Sequence, residues 1–383
     1  MIYLDNAATT PVRREALEAM WPFLTGNFGN PSSHHHVGEA AAAALKQARQ
    51  SVARSLGARA GDVVFTSGGT ESDNLAIKGL ALGNLDTEAP GHLITTAIEH
   101  EAVLETVDYL HRLHGFEVTL LPTDAHGRVR ADDLRESLRP NTRLVSVHYA
   151  NNEVGTVQPL AELAGIARAA GARFHTDAVQ AGGWLPLDVT ALGVDALSLS
   201  GHKLGAPPGI GALFVRGRLP LEPLLHGGGQ ERGKRSGTEN VAGAVAFAVA
   251  LELSLRERSE TADRVARLRD AFIATVLSRS PTARLTGHPT ERLPGTASFV
   301  FPGTSGEAVL LELERRGIVC SSGSACAAGS SEPSHVLTAM GFAAEVAQTA
   351  VRFTLSASSS ADEVALAAAS VHDAVAAVHR LGA

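Results

Sequence analysis

Lys203 is the residue whose type and position best suit covalent chemistry. It lies in the run SLSGHKLGAP, at the end of a strand-like segment and between Gly201 and Gly205. A lysine at such a strand end can reach into a cleft and condense with an aldehyde, provided that its surroundings lower its pKa. A solvated surface lysine is the usual alternative. The Ser and His donors beside Lys203 favour the reactive interpretation.

Cys326 is the second candidate, in a segment of small residues, GIVCSSGSACAAGSSEPS, that holds both cysteines. Such a segment packs poorly, so we expect a mobile loop on which a thiol could travel to a substrate. Cys320 follows apolar Ile318 and Val319 and is interpreted as structural, whereas Cys326 lacks an apolar anchor and is the better nucleophile. The pair predicts no resident metal site, although Cys326 could contact a cluster transiently.

Two motifs at other strand ends suit a phosphorylated pyridine. SGGTES leaves one strand and opens a helix, so the backbone at Gly69 and Thr70 could bind a phosphate. In HTDAVQ, Asp177 could pair with a ring nitrogen, which beside a Schiff-base lysine is the environment of pyridoxal phosphate. Each motif alone also has an ordinary interpretation, a glycine turn capped by Thr70 or an aspartate that caps a helix.

Three further segments add weaker signals. His100 in IEHEAV could stack on an aromatic cofactor or exchange protons, and Asn152 in YANNEVG offers a neutral hydrogen-bonding group. Each alone is more often an ordinary loop residue, but together five strand ends carry groups that fit one cofactor. The basic loop HGGGQERGKRSGTEN is either a surface loop or an arm that reaches an anion across a subunit boundary.

The elements that must position these residues follow an α/β pattern from about residue 62 to residue 216. Crossover helices between strands imply a mainly parallel sheet with both faces covered, whose ligands bind beyond the carboxyl ends of the strands. The predicted strands are DVVFTS, HLITTA, FEVTLLP, RLVSVHYA, RFHTDA, DALSLS and GALFVR.

After an apolar helix near Val241 the pattern becomes α+β, and the length of 383 residues exceeds what one core usually fills. We therefore predict two domains. The large, cofactor-binding domain comprises residues 13–256, and the small α+β domain comprises residues 1–12 and 257–383 and carries the Cys326 loop.

The composition of the chain limits its possible partners and cellular compartment. A formal net charge of -7 argues against a nucleic-acid partner. The N-terminus has no basic region before an apolar run, and the longest apolar stretch is shorter than a membrane span and contains Glu252. Two cysteines exclude a disulfide framework. We expect a cytoplasmic protein that binds neither nucleic acid nor membrane.

Taken together, the motifs resemble the cysteine desulfurases of the class V aminotransferase family, in the NifS/IscS-like first group. The resemblance implies a pyridoxal-phosphate-dependent transferase-like fold with a seven-stranded sheet. It also implies an enzyme that converts L-cysteine to L-alanine, leaving a Cys326 persulfide for a sulfur acceptor or an iron–sulfur scaffold protein. The shared runs include YLDNAATTP, FGNPSS, VFTSGGTESDNLAIKG, HEAV, NNEVG, HTDAVQ, SGHK, GIGAL, HGGGQERGKRSGTEN, SSGSAC, EPSHVL and VRFTLS.

The resemblance assigns cofactor roles residue by residue. Lys203 matches the Schiff-base lysine, Asp177 the partner of the ring nitrogen, and Gln180 the group near the ring hydroxyl. His100 matches the histidine stacked on the ring, and Asn152 an asparagine beside cofactor and substrate.

The remaining implied roles concern substrate, phosphate and partner subunit. Arg352 matches the arginine whose planar fork clamps the substrate carboxylate. Thr238 matches a threonine that reaches the phosphate of the partner subunit, which implies a homodimer. The phosphate cradle matches Gly69, Thr70, Ser200 and His202.

Two alternatives stay open at the level of sequence. One is a lyase acting on selenocysteine or another β-substituted amino acid. The other is a non-catalytic sulfur-transfer or cluster-assembly partner, which the retained Lys203 and Asp177 disfavour. The runs LGAPPG after Lys203 and SASSS after Arg352 depart from the family's usual continuations and could alter the walls of the site.

Overall fold

The computed structural model describes residues 1–83, 91–217, 219–322 and 332–382. The strands are β1 (Ile2–Tyr3), β2 (Val63–Thr66), β3 (His92–Thr96), β4 (Glu117–Leu121), β5 (Thr142–Ser146), β6 (Arg173–Asp177), β7 (Ala196–Ser200), β8 (Gly211–Val215), β9 (Arg284–Leu285), β10 (Thr296–Val300), β11 (Ile318–Val319) and β12 (Ala350–Thr354). The α-helices are α1 (Arg14–Leu24), α2 (His36–Ser55), α3 (Gly69–Leu82), α4 (Glu101–His114), α5 (Ala131–Ser137), α6 (Leu160–Ala169), α7 (Val189–Leu192), α8 (Val241–Arg279), α9 (Gly306–Arg315), α10 (His335–Ala339), α11 (Ala344–Ala347) and α12 (Ala361–Gly382).

The large sheet has seven strands in the order β2-β8-β7-β6-β5-β3-β4. Within it, β8 runs antiparallel to both of its neighbours, and the other pairs are parallel. The predicted α/β fold with a mainly parallel seven-stranded sheet is therefore confirmed. Each of the seven predicted strand segments forms one strand of this sheet.

Both faces of the sheet are covered, as the apolar strands require. Side chains of successive strand residues point to opposite faces, so Val63 and Phe65 belong to one core cluster with helices α2 and α8. Val64, between them, packs with Leu75 of α3 on the other face. Helix α3 crosses that face against β8, β7, β6 and β5, which brings its first turn to the ends of the central strands.

A second core lies around an antiparallel sheet of β12, β10 and β9. Phe272 of α8, Phe299 and Phe353 meet there, and Leu4 from the N-terminal segment joins the same cluster. Strand β1 pairs in parallel with β11. The two cores agree with two packing units, and the division at residues 12/13 and 256/257 stays a prediction.

Helix α8 runs through that predicted boundary without a break, from Val241 to Arg279. The change of sequence pattern that predicts this boundary therefore falls inside one continuous helix. No proline and no glycine beyond Gly243 interrupts the stretch, so its backbone hydrogen bonds continue from one core to the other. Among the described residues, no helix is both long and apolar enough to cross a membrane.

Candidate active site

A cavity of about 300 Å³ opens at the carboxyl ends of the central strands. It brings together most of the residues singled out in the sequence, although they lie far apart along the chain. Cys326 lies outside the described residues. Thr238 is exposed and does not line this cavity of its own chain. The predicted residues in the wall are Gly69, Thr70, His100, Asn152, Asp177, Gln180, Ser200, His202, Lys203 and Arg352.

Lys203 ends a one-turn 3-10 helix, Gly201–Lys203, directly after β7. Its Nζ donates to the carbonyl oxygens of Ala7 and Ala8, so the N-terminal segment forms part of the wall beside the lysine. Gln180 Nε2 donates to the same Ala7 oxygen at 3.0 Å. The sequence did not reveal this segment as a site element, because it acts through its backbone.

His202 precedes the lysine and is half-buried. Burial, with a further contribution from the charge of Lys203, lowers the pKa of His202 to about 4. Its Nδ1 lies 3.2 Å from Thr9 Oγ1. At neutral pH this imidazole is therefore uncharged, and it can offer a phosphate a hydrogen bond but no formal charge.

Asp177 is the last residue of β6 and is buried at the floor of the cavity. Its Oδ1 accepts a 2.8 Å hydrogen bond from the Val179 amide, so the aspartate also makes the local turn contact that its sequence position allowed. Burial raises the pKa of Asp177, while the nearby His100 and His148 favour its ionised form.

Asp73, on the first turns of α3, is a second carboxyl group of the cavity that sequence reasoning missed. It is buried, and its Oδ1 has no hydrogen-bond partner in the part of the chain that the structure describes. Burial, followed by the charge of Asp177, holds the pKa of Asp73 well above its usual range. The charge of one carboxyl group disfavours ionisation of the other, and Asp73 is the more deeply buried of the two, so this arrangement favours the proton on Asp73 and the charge on Asp177.

His175 does not supply a counter-charge to Asp73, although its Nε2 lies 3.6 Å from Asp73 Oδ1. Burial lowers the pKa of His175 to about 3. Its ring nitrogens lie 2.8 Å from Ser146 Oγ and 3.0 Å from Ser198 Oγ. The imidazole is thus neutral, and its two ring nitrogens are occupied by hydroxyl groups.

Arg352 points from β12 into the same cavity and is buried. Its Nη1 donates to the Asn152 carbonyl at 2.9 Å, and its Nη2 donates to Asp5 Oδ1 at 2.9 Å. The Nε has no hydrogen-bond partner among the described residues. A guanidinium carries five N–H donors, so this one keeps donors for a further acceptor such as a carboxylate.

His100 begins helix α4, and its Nδ1 accepts a 3.0 Å hydrogen bond from the Ala102 amide. This contact directs the ring and leaves Nε2 as the proton-carrying nitrogen of the neutral form. Behind it, buried Glu99 accepts from the His148 amide at 3.0 Å and lies 3.1 Å from His148 Nδ1. His148 was not singled out in the sequence, although it follows β5 just as His100 follows β3.

Cys320 agrees with its structural interpretation. It is a half-buried free cysteine packed against the second core, and burial raises the pKa of its thiol well above the usual range. A thiol in this state holds its proton and is a poor nucleophile at neutral pH.

The residues present fit pyridoxal phosphate. A Cβ on Gly69 would lie only 2.8 Å from Val179 Cγ2 and 3.5 Å from Ser200 Cβ, so glycine is needed where the start of α3 meets the ends of β6 and β7. The first N–H groups of this helix have no partner within the helix and suit an anion. The same cavity contains a carboxylate for a ring nitrogen, Asp177, and an amine for an aldehyde, Lys203.

Comparison with known proteins gives the same assignment. The aminotransferase class-V family model matches residues 2–366. Cysteine desulfurase IscS of Dictyoglomus turgidum is 47% identical over 92% of this chain and 89% of its own length. Cysteine desulfurase IscS of Methanosarcina thermophila is 48% identical over 95% of this chain and 89% of its own length.

A solved structure described as a NifS-like protein has the same fold, with a TM-score of 0.90 and 37% identity. The matched region covers 97% of this chain and 98% of the chain in the solved structure. The motifs, the arrangement of the cavity and these likenesses agree. The chain belongs to the class V aminotransferase family, among its pyridoxal-phosphate-dependent cysteine desulfurases.

Proposed function

We propose that this protein removes sulfur from L-cysteine, releases L-alanine and carries the sulfur as a persulfide on Cys326. The observation that supports this most is one cavity that joins an amine (Lys203), a buried anion (Asp177) and a guanidinium with spare donors (Arg352). When bound there, pyridoxal phosphate supplies an electron-withdrawing ring that stabilises negative charge on the substrate carbon beside the amine.

Lys203 and Asp177 divide the work on the cofactor side. With the cofactor bound, Lys203 Nζ would hold it at the aldehyde carbon, and the same amine would be the base that takes the proton from the substrate Cα. Asp177, anionic while Asp73 keeps its proton, would hold the ring nitrogen in its protonated form. His100 would hold the face of the ring, and Gln180 would hold the ring hydroxyl.

Arg352 and Cys326 act on the substrate. Arg352 binds the substrate carboxylate with the donors that Asp5 and Asn152 leave unused, and Asn152 lies beside the substrate. The Cys326 thiolate attacks the substrate sulfur, so an S–S bond forms as the C–S bond breaks. His100 moves protons at the substrate thiol. Cβ gains a proton as the C–S bond breaks, and Cα regains the proton that Lys203 took, which completes alanine.

The remaining roles in this proposal concern the residues that bind the cofactor phosphate and the thiol that accepts the sulfur. Gly69, Thr70, Ser200 and His202 form the phosphate cradle, and Thr238 completes the cradle of the other subunit in a homodimer. A thiol of an acceptor or of an iron–sulfur scaffold protein takes the sulfur by exchange with the persulfide. A reducing cytoplasm is the compartment that keeps both thiols available.

Replacement of Lys203 tests the proposal most simply. Lys203→Ala should lose the visible absorbance band that pyridoxal phosphate shows when it is bound to a lysine, because no other amine lies in the described wall of the cavity. Lys78→Ala is the matched control. Lys78 lies over the Tyr109 ring, 4.1 Å from its centroid and outside the cavity wall, so its loss should leave the band intact. A band retained in Lys203→Ala would contradict the proposal.

A further inference from the structure

The basic, glycine-rich loop from His226 to Asn240 is held firmly against β2. Glu231 is buried and accepts from Arg49 Nη1 at 2.5 Å and Nη2 at 2.7 Å, and from the Phe65 amide at 3.2 Å. Glu231 and Arg232 have positive φ angles of 50° and 61°. Non-glycine residues keep such angles only where their surroundings impose them. The loop is therefore held in a defined position against α2 and β2.

A second ion pair joins this loop to the first turn of α3. Arg235 Nε lies 2.8 Å from Glu71 Oε1, and Nη2 lies 3.3 Å from Oε2. Only 23% of the arginine side chain and 15% of the glutamate side chain are exposed. Glu71 Oε2 also accepts from the Ser67 amide at 2.8 Å. Burial would raise the pKa of Glu71, but hydrogen bonds from Arg235 and Ser67 outweigh it and lower the pKa.

The negative charge of Glu71 opposes phosphate binding at the proposed cradle. Glu71 directly follows Gly69 and Thr70, so a carboxylate lies in the helical turn whose N–H groups are proposed to bind the phosphate. Because this carboxylate is largely shielded from water, its charge would repel a phosphate bound at the start of α3. The cradle residues do not offset it, because Gly69, Thr70 and Ser200 are uncharged and His202 has a pKa of about 4.

We infer that Arg235 is a positioning residue for the cofactor phosphate, which it serves by cancelling the charge of Glu71 and fixing the turn that carries Gly69 and Thr70. The inference rests on the phosphate cradle of the proposed function. It differs from a plain structural ion pair in one respect. Loss of the arginine leaves a largely buried carboxylate without its counter-charge beside an anion, whereas loss of the glutamate carboxylate leaves a neutral amide there.

Charge cancellation at the phosphate can be distinguished from a plain structural ion pair with three variants: Arg235→Met, Glu71→Gln and the double variant. Apoprotein is titrated with pyridoxal phosphate and, in parallel, with pyridoxal, which lacks the phosphate. We expect Arg235→Met to weaken binding of pyridoxal phosphate by about tenfold or more through like-charge repulsion. Glu71→Gln should stay within about threefold of the wild type, and the double variant should return to that level, because the repelling charge is gone. Pyridoxal binding should change in none of them.

Two controls guard against misfolding. Arg235→Lys keeps the charge and should keep most of the affinity. Arg232→Met removes a neighbouring arginine that donates to the Val63 carbonyl at 2.6 Å, and it should leave the affinity for the phosphate form unchanged.

Several results would overturn the inference. Equal weakening in Arg235→Met and Glu71→Gln, without recovery in the double variant, would show a plain structural pair. Equal loss of pyridoxal binding in Arg235→Met, or an Arg235→Lys protein as weak as Arg235→Met, would show that charge at the phosphate is not involved. A wild-type protein that binds both compounds alike would instead contradict the phosphate cradle itself.

Discussion

The two carboxyl groups of the cavity illustrate how a single residue's surroundings decide its chemistry. Asp177 has an amide donor from Val179 and two nearby histidines, whereas Asp73 has no partner on Oδ1 in the described chain. These surroundings favour the proton on Asp73 and the charge on Asp177. Because the site keeps one negative charge rather than two, Asp177 can serve a cationic ring nitrogen without mutual repulsion from its neighbour.

Replacement of Asp73 by asparagine should make the apoprotein more stable above pH 4. In the wild type the folded-state pKa of Asp73 is raised, so between the unfolded and folded pKa values the folded chain binds the extra proton and stability falls as pH rises. This loss of folding stability amounts to about 1.4 kcal/mol per pH unit while Asp73 stays protonated in the folded chain. Asp73→Asn removes this loss.

Urea unfolding of both apoproteins at several pH values between 5 and 8 (about one unit apart) measures this difference. The stability gain of Asp73→Asn should grow with pH. Equal pH dependence in the two proteins would show that Asp73 is ionised in the folded chain. Asp177→Asn, the matched change on the neighbouring carboxylate, should instead weaken pyridoxal phosphate binding strongly.

The sequence alone identifies some of these residues as candidates for the site, but not others. Lys203 and Asp177 are recognisable because they end strands, and strand ends of a parallel sheet meet at one edge. Asp73 lies inside a helix, where an aspartate normally faces solvent. Asp5 acquires its role only through Arg352, 347 residues away. Such groups are defined by tertiary contacts that no local pattern records.

At the scale of elements, a close approach of β8 to the SGGTES turn sets the start of α3. A Cβ on Gly211 would lie 2.7 Å from the Gly68 Cα and 2.7 Å from the Leu199 carbonyl oxygen. Gly211 pairs with Thr66 of β2 on one side and Ser200 of β7 on the other. The absence of a side chain at this position lets the SGGTES turn lie directly over the strand ends.

Gly211→Ala should therefore destabilise the fold by about 2 kcal/mol through overpacking against backbone and should weaken pyridoxal phosphate binding as well. Gly165→Ala is the matched control, because Gly165 lies exposed within α6 and a Cβ added there would point into open space. It should gain about 0.5–1 kcal/mol from helix propensity. Chemical denaturation and cofactor titration measure both effects, and an unaffected Gly211→Ala protein would contradict this account of the turn.

The strands of the large sheet could be predicted from the sequence, but the contacts and continuous helices that connect distant parts of the chain could not. Apolar runs ending in polar turns identified the seven strands, since buried parallel strands read as continuous apolar segments. The two-residue pair β1–β11 is too short for any periodicity, and it joins Tyr3 to Val319 across almost the whole chain. The continuity of α8 across the predicted boundary has no local sequence signal, because its buried apolar residues belong to one core up to Leu251 and to the other from Val265.

At the scale of the whole molecule, the central question is whether each site uses two chains. Thr238 is exposed in its own chain, as expected of a residue that serves a partner. Mixed dimers of Lys203→Ala and Thr238→Ala chains test this. If Thr238 acts across the interface, one site of each mixed dimer has both defects and the other is wild type.

Mixing the two variants after mild dissociation should therefore restore one site of full cofactor affinity per mixed dimer, although neither variant alone has one. If Thr238 serves its own chain, or if the protein is a monomer, no mixture will contain an intact site. Light scattering fixes the oligomeric state independently, with a chain mass of 39.8 kDa as reference.

The identity of the sulfur-carrying thiol is the central chemical claim, and mass spectrometry tests it directly. After brief exposure of the protein to L-cysteine, the peptide that contains Cys326 should gain the mass of one sulfur atom, and the added mass should disappear on reduction. Cys326→Ser should abolish both this change and alanine release, whereas Cys320→Ser should retain both. Added sulfur on Cys320, or alanine released by Cys326→Ser at the wild-type rate, would contradict the account.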